Sequence, residues 1–342
     1  MLADPSGEPF FSIAMNHIDS ATLRYSENID IWRETFGNNK KRWLQYQVNP
    51  DLYSWGFNSV GWVQEVVTRG ATNHRHSRNF TFEEYQWLDM PYCHMLPFAD
   101  FHQWEAETKN PDFFSDDFAD WCDYVARDHC ARFAEDPKLI GYFYIDCPTW
   151  IHTIKESKWK GPLFDPGRLA TEKGRKALSD LATQYYKVTH DAIRRYDPNH
   201  LILGDRYNAQ RPWAKEVLLA AKPYVDVMSF QHFGAPDVIK SDLDTFAELT
   251  GMPVLLADSG VPNHDTWEQG YFEINTERYA ALTKNIAETD ACVGLHFCGA
   301  YLRNKVRKYG LRHRDNQTDE PKIREITANN HILEKKKTQN LL

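Results

Sequence analysis

Leu139-Ile-Gly-Tyr-Phe-Tyr-Ile-Asp-Cys-Pro-Thr-Trp150 is an apolar run of strand length that ends in a carboxylate, a proline and a tryptophan. A parallel α/β barrel places catalytic acids and sugar-stacking aromatics at such strand exits. Gly251-Met-Pro-Val-Leu-Leu-Ala-Asp-Ser-Gly260 repeats the pattern, with Asp258 at its end. Two carboxylates at two strand exits point to acid/base or nucleophilic work on a glycosidic bond.

Working outward, eight runs read as parallel strands: Phe10–His17, Ser59–Val63, Tyr92–Phe98, Leu139–Asp146, Leu201–Arg206, Val225–Phe233, Val254–Asp258 and Val293–Ala300. Helical periodicity lies between them. Phe118, Trp121, Cys122 and Val125 share one face behind Ser115, a plausible N-cap with Asp116 and Asp117 in the first turn. Leu178, Leu181, Ala182, Tyr185, Ala192, Ile193 and Tyr196 form a longer stripe. Regular alternation of strand and helix predicts a single (β/α)8 TIM barrel over residues 1–330, followed by a polar tail at 331–342.

The connections are unequal. Helix-to-strand links such as Asp136-Pro-Lys138 and Asp197-Pro-Asn-His200 are short, whereas the loops at 64–88, 99–114 and 147–168 are long. In a barrel the long loops share the rim that carries function. They hold His74, His76, His102, Trp104, Trp150, His152 and Trp159.

Bulk properties narrow the classes. The net charge of −8 argues against general nucleic-acid binding, which needs a basic face. No apolar run reaches the roughly 20 residues of a membrane span. Met1–Pro9 shows neither a basic nor an apolar leader region, so the expectation is a cytoplasmic chain, or an exported one if a leader has been removed. Cys93, Cys122, Cys130, Cys147, Cys292 and Cys298 contain no CxxC pair and read as buried thiols.

Among the carboxylates, Asp258 leads and Asp146 follows, with Glu65 and Asp205 as reserve proton donors. The structural alternatives are specific: Asp258 capping a helix or pairing a rim arginine, Asp146 orienting an arginine or histidine, Glu65 and Asp205 in hydrogen bonds or ion pairs. Cys147 has no base nearby in sequence and reads as a small buried hydrophobe. Candidate substrate contacts are Asn16, His17, Arg75, His76, His102, Trp104, Trp150, His152, Arg206, Gln231, His232 and His296, the last also readable as a satisfied core histidine. Arg75 and Arg78, in Asn73-His-Arg-His-Ser-Arg-Asn79, suit a uronate or sulfate. Histidines are plentiful, but no H-E-x-x-H or comparable ligand motif is present, so neither metal nor organic cofactor is expected.

Several segments carry a family resemblance. Asp4-Pro-Ser-Gly-Glu-Pro-Phe-Phe-Ser-Ile-Ala-Met-Asn16, Pro50-Asp-Leu-Tyr-Ser-Trp-Gly-Phe-Asn-Ser59, Asp197-Pro-Asn-His-Leu-Ile-Leu-Gly204, Tyr224-Val-Asp-Val-Met-Ser229 and Tyr309-Gly-Leu-Arg-His-Arg-Asp-Asn-Gln317 resemble clan A glycoside hydrolases, nearest to β-agarase-like and β-galactosidase-like barrels. The resemblance spans almost the whole chain. It implies hydrolysis of an algal or plant oligosaccharide or polysaccharide without a cofactor. In that clan the fourth strand ends in Asn-Glu, the Glu being the acid/base, and the seventh in a nucleophilic Glu. Here Asp146-Cys147 and Asp258 stand at those positions. An Asp is one methylene shorter than a Glu and leaves room for a water, so inversion is the expected outcome. Two rival readings are a carbohydrate-binding barrel that has lost the acid/base, and a lyase or metal-dependent isomerase on the same fold.

Overall fold

The computed structural model describes residues 2–68, 75–99, 112–148, 150–151, 166–268 and 271–339. Each of the eight apolar runs overlaps one barrel strand: β1 (Ser12–Met15), β2 (Ser59–Val60), β3 (Tyr92–Met95), β4 (Leu139–Asp146), β5 (Leu201–Asn208), β6 (Met228–Gln231), β7 (Val254–Ser259) and β8 (Cys292–Phe297). All neighbouring pairs are parallel, and β8 closes on β1 through Gly294 opposite Ser12 and His296 opposite Ala14. The strands β1, β2, β3 and β6 are shorter than their runs, β4 matches its run, β5 and β7 extend past theirs to Asn208 and Ser259, and β8 starts one residue early at Cys292.

A helix follows or precedes each strand on the outside: α1 (Asn49–Ser54), α2 (Phe82–Leu88), α3 (Asp116–Phe133), α4 (Glu172–Tyr196), α5 (Lys215–Ala221), α6 (Pro236–Thr250), α7 (Thr276–Ala287) and α8 (Glu320–Gln339). The Ser115 hydroxyl caps α3 by accepting from the Phe118 N–H, as its sequence predicts. Thr81 and Glu84 form a capping box on α2. One stripe residue differs from expectation: Trp121 is exposed, its indole donating to the Phe98 carbonyl at 3.0 Å while Phe118, Cys122 and Val125 are buried. Residues 331–339, expected as a polar tail, instead complete α8. Leu333 is buried there, and Lys337 Nζ donates to the Thr289 carbonyl at 2.6 Å, which gives its charge a partner under the helix. No helix among the described residues is long and apolar enough to cross a membrane.

The barrel interior is a small core of Trp62, Cys93, Phe143, Leu203, Val227, Leu255, Ala257 and Val293, separate from the large core between barrel and helices. Simple alternation along β4, β5 and β7 would continue from these inward residues to Ile145, Asp205 and Ser259. Ladder irregularities intervene in all three strands. Tyr142 and Phe143 face Ile202 and Gly204, so β5 holds one extra residue; Gly204 accommodates it at φ +64°. Between Phe143 and Asp146 the extra residue lies on β4, and between Leu256 and Asp258 it lies on β7. Each bulge re-aims the residue after it, and those residues are Asp146, Arg206 and Asp258.

Candidate active site

The bulges bring Asp146, Arg206 and Asp258 together at the carboxyl end of the barrel. Arg206 Nε and Nη2 donate to Asp146 Oδ1 at 2.9 and 2.7 Å, and Nη2 lies 3.8 Å from Asp258 Oδ2. The guanidinium rests over the Trp62 ring, 4.3 Å from its centroid, a cation–π contact in a buried setting. Asp258 Oδ1 accepts from Asn16 Nδ2 at 2.7 Å and lies 3.7 Å from His17 Nε2. Asn16 in turn accepts from the Trp62 N–H, tying β1 to the β2 exit. Gly61 is required between them, since a Cβ there would lie 2.3 Å from Asn16 Oδ1 and 2.5 Å from His296 Nδ1. Two exit residues, His17 and Cys147, adopt left-handed conformations at φ 59° and 49°, which non-glycine residues rarely do.

Burial by itself would raise the Asp258 carboxyl. Arg206 foremost, then His17 and Arg307, outweigh it and hold the group well below the usual carboxylate range. Asp258 is therefore an anion at any physiological pH. His296 is the opposite case: burial, and after it Arg206, push its imidazole down to about 3. It is a neutral barrel-core histidine whose Nε2 meets the Ser12 hydroxyl at 2.9 Å. The Cys147 thiol is pushed well above its ordinary value by burial and by Asp146 beside it, so it supplies no thiolate.

Other candidates fall in several places. His76 reaches the cluster, its Nε2 3.8 Å from Asp146 Oδ2. Gln231 ends β6 opposite Asp258 and is buried at the mouth. Glu65 lies beyond β2, where its Oε1 accepts from Arg307 Nε at 2.9 Å and from the Val66 N–H. His232 is turned to the helix layer and pairs Asp242 of α6 at 2.8 Å. Trp150 packs in the core against Tyr185 and Tyr186 rather than presenting a face to a sugar. Arg78 is engaged by Glu84 through both terminal nitrogens, which removes it from the pair expected to read an anionic sugar. His74, His102, Trp104, His152, Trp159 and the Arg75 side chain lie outside the described residues.

Asp205 is not brought to the mouth. The Gly204 bulge turns it outward, where Tyr185 and Tyr186 of α4 donate to its two oxygens at 3.1 and 2.6 Å. Burial raises its carboxyl to about 7, the tyrosine hydrogen bonds opposing the shift only in part. The folded state therefore holds a proton that the unfolded chain releases near pH 4. Asp205 should make stability fall as pH rises from about 4 to 7, by as much as about 4 kcal/mol at roughly 1.4 kcal/mol per unit. Asp205→Asn, whose oxygen accepts from one tyrosine while its amide nitrogen donates to the other, should flatten that part of a melting-temperature profile. An unchanged pH slope in the variant would contradict it.

Three residues that the sequence reading did not single out complete the site: Trp62 beneath Arg206, and Arg307 with Cys298 from the region after β8. Arg307 Nη1 donates to Cys298 Sγ at 2.9 Å. His17, Asp258 and Cys298 offer nitrogen, oxygen and sulfur close enough to share a metal ion. The donor types suit zinc, yet the thiol is pushed up by burial and the guanidiniums of Arg206 and Arg307 already match the local negative charge. That surrounding disfavours a cation. A groove of about 340 Å³ beside Trp213, Arg175 and Glu216 lies against α4 and α5, apart from this cluster.

No family model matches the sequence, and no curated protein matches it. Solved structures do match. An agarase, AgWH50C, superposes with a TM-score of 0.69 at 14% identity over 98% of this chain and 62% of its own. An exo-beta-agarase gives 0.65 at 17% over 93% and 50%. The endo-1,4-beta-mannanase from Rhizomucor miehei gives 0.57 at 12% over 96% of both chains. The chain thus spans about 62% of the agarase and half of the exo-beta-agarase. The resemblance to clan A glycoside hydrolases read from the sequence extends to the fold.

Proposed function

We propose that this barrel hydrolyses glycosidic bonds in an oligosaccharide or polysaccharide of algal or plant type, using Asp258 and Asp146 as its carboxylate pair. The observation that carries the reading is that both carboxylates, from β7 and β4, lie against the same nitrogen of Arg206, at 3.8 and 2.7 Å. Their nearest oxygens are then no more than roughly 6.5 Å apart. That upper bound meets only the lower edge of the inverting range and also admits the retaining spacing of about 5–5.5 Å, so the case for inversion rests on the shortened Asp258 side chain.

The position of the charges supports the same chemistry. Asp146 and Asp258 are held at the mouth on either side of Arg206. Carboxylates placed there favour the positive charge that develops on the sugar ring as the bond breaks. Asp258, fixed as an anion by Arg206, serves as general base toward a water, and the shorter Asp side chain gives that water its place. The product should leave with inverted configuration. The chemistry draws on protein groups and water alone.

The direct experiment is product release from a panel of neutral, sulfated and uronic oligosaccharides, with proton NMR of the anomeric signals at early times. Release of the inverted anomer is expected. The retained anomer would instead make Asp258 a nucleophile with a covalent intermediate. One observation favours a second reading: Cys147, where the clan has its acid/base Glu, is a buried thiol. A sugar that binds without turnover would establish a carbohydrate-binding barrel in place of the hydrolase.

A further inference from the structure

A hydrolase with Cys147 at the usual acid position needs another proton donor, and the following inference rests on the hydrolase reading. We propose that His76 protonates the leaving-group oxygen, with Asp146 as its positioning carboxylate.

Among the described residues, the other titratable candidates are engaged as follows, with His17 held between the Gln64 carbonyl and Asp258. Asp146 Oδ1 accepts two hydrogen bonds from Arg206, which pairs this carboxyl with a permanent charge. Asp258 is held as an anion by the same guanidinium. Glu65 Oε1 is bound by Arg307, Asp205 faces α4, and His296 is tied to Ser12 inside the barrel. Arg206 grips only one oxygen of Asp146; the other, Oδ2, faces His76 Nε2 at 3.8 Å. A carboxylate at that distance favours the protonated imidazole. The His76 side chain retains 16% of its exposure, against 5% for Asp258, so it is the more accessible partner for a leaving group.

The hairpin that carries His76 is anchored to the barrel. His76 pairs with Val66, the Ser77 N–H donates to the Glu65 carbonyl at 2.7 Å, and the Ser77 hydroxyl accepts from the Glu65 N–H at 2.9 Å. The imidazole meets the edge of Trp62, the ring on which Arg206 lies. The proton on His76 Nε2 is thereby set beside the β4 exit, next to the position where the clan's Glu would stand.

In the step, the water oxygen bonds to the anomeric carbon as the glycosidic C–O bond breaks. The bonding pair passes to the leaving oxygen, which takes the proton from His76 Nε2, and Asp258 takes the proton from the water. Neutral His76 and protonated Asp258 then return to their starting forms by proton exchange with solvent. The net reaction adds one water across one glycosidic bond.

The test is leaving-group dependence. The full chain, His76→Gln and Asp146→Asn are assayed on 2,4-dinitrophenyl and methyl β-glycosides of galactose, mannose and glucuronic acid, with melting curves as a folding control. A dinitrophenolate needs no proton, whereas a methoxide does. His76→Gln should lose about a hundredfold or more on the methyl glycoside and less than about fivefold on the dinitrophenyl glycoside. Asp146→Asn should show the same selectivity at smaller size, a signature that a purely structural role would not produce. Equal loss on both leaving groups would overturn the donor role alone. A wild-type chain that cleaves no member of the series would overturn the hydrolase reading, and the donor role with it.

Discussion

Asp258→Asn should lower kcat at least about a hundredfold while leaving KM within a few-fold, measured on whichever panel member the wild type cleaves. The amide keeps the size of the carboxylate, and its oxygen can still accept from Asn16 Nδ2. What it loses is the charge beside Arg206 and the capacity to take a proton. The folded state should survive, because Arg206 retains its two hydrogen bonds to Asp146. The pH behaviour separates this role from a purely structural one. Asp258 is held below the usual carboxylate range, so its stabilising share is full above its unfolded value near 4 and is lost only as pH falls through its lower folded value. Activity between pH 5 and 8 should therefore show no limb from Asp258, and any limb there belongs to the proton donor. If the variant cleaves as fast as the wild type, the chemistry moves to Glu65 or to the histidines.

The eight strands were legible because apolar runs of strand length alternate with 3.6-period stripes, and each run did hold a ladder. The exits were legible only in part. Asp146 and Asp258 stand out as charges that end apolar runs. Asp205 and Arg206 are adjacent and both charged, and strict alternation would send Asp205 inward. The bulge at Gly204 reverses that, and its sequence signal was a glycine within a strand, which often marks such a bulge. Trp62 was hidden for another reason. Its contact with Arg206 joins two strands that are far apart in sequence, and no local pattern encodes it. Arg307 and Glu65 pair across almost the whole chain in the same way. The alternative roles fared as geometry allows: Asp146 does orient an arginine, and Asp258 does face one, while both stay at the mouth.

The larger effect on stability should come from Arg206→Met. Arg206 is fully buried, and its charge faces Asp146 and Asp258 directly. Methionine fills much of the same volume over Trp62 but carries no charge and donates nothing. Asp146 and Asp258 would then lose their shared guanidinium, while Arg307 stays paired with Glu65. Breaking a buried ion pair from one side typically costs about 3–5 kcal/mol, since the remaining charge has lost its partner inside the protein. At neutral pH a urea titration should show a loss of that order, together with loss of any turnover. The sign with pH follows from the carboxylates. Without Arg206 their folded-state affinity for protons rises above that of the unfolded chain, so acidification toward pH 4 should narrow the gap to wild type. Adding Asp146→Asn to Arg206→Met should likewise restore part of the lost stability, because one of the unmatched charges is gone. Arg206→Lys should fall between, since a lysine cannot make the paired Nε and Nη2 contacts to Asp146. If Arg206→Met unfolds within about 1 kcal/mol of wild type at every pH, then the two aspartates are not held by Arg206, and the site is set by Asn16 and the bulged strands themselves.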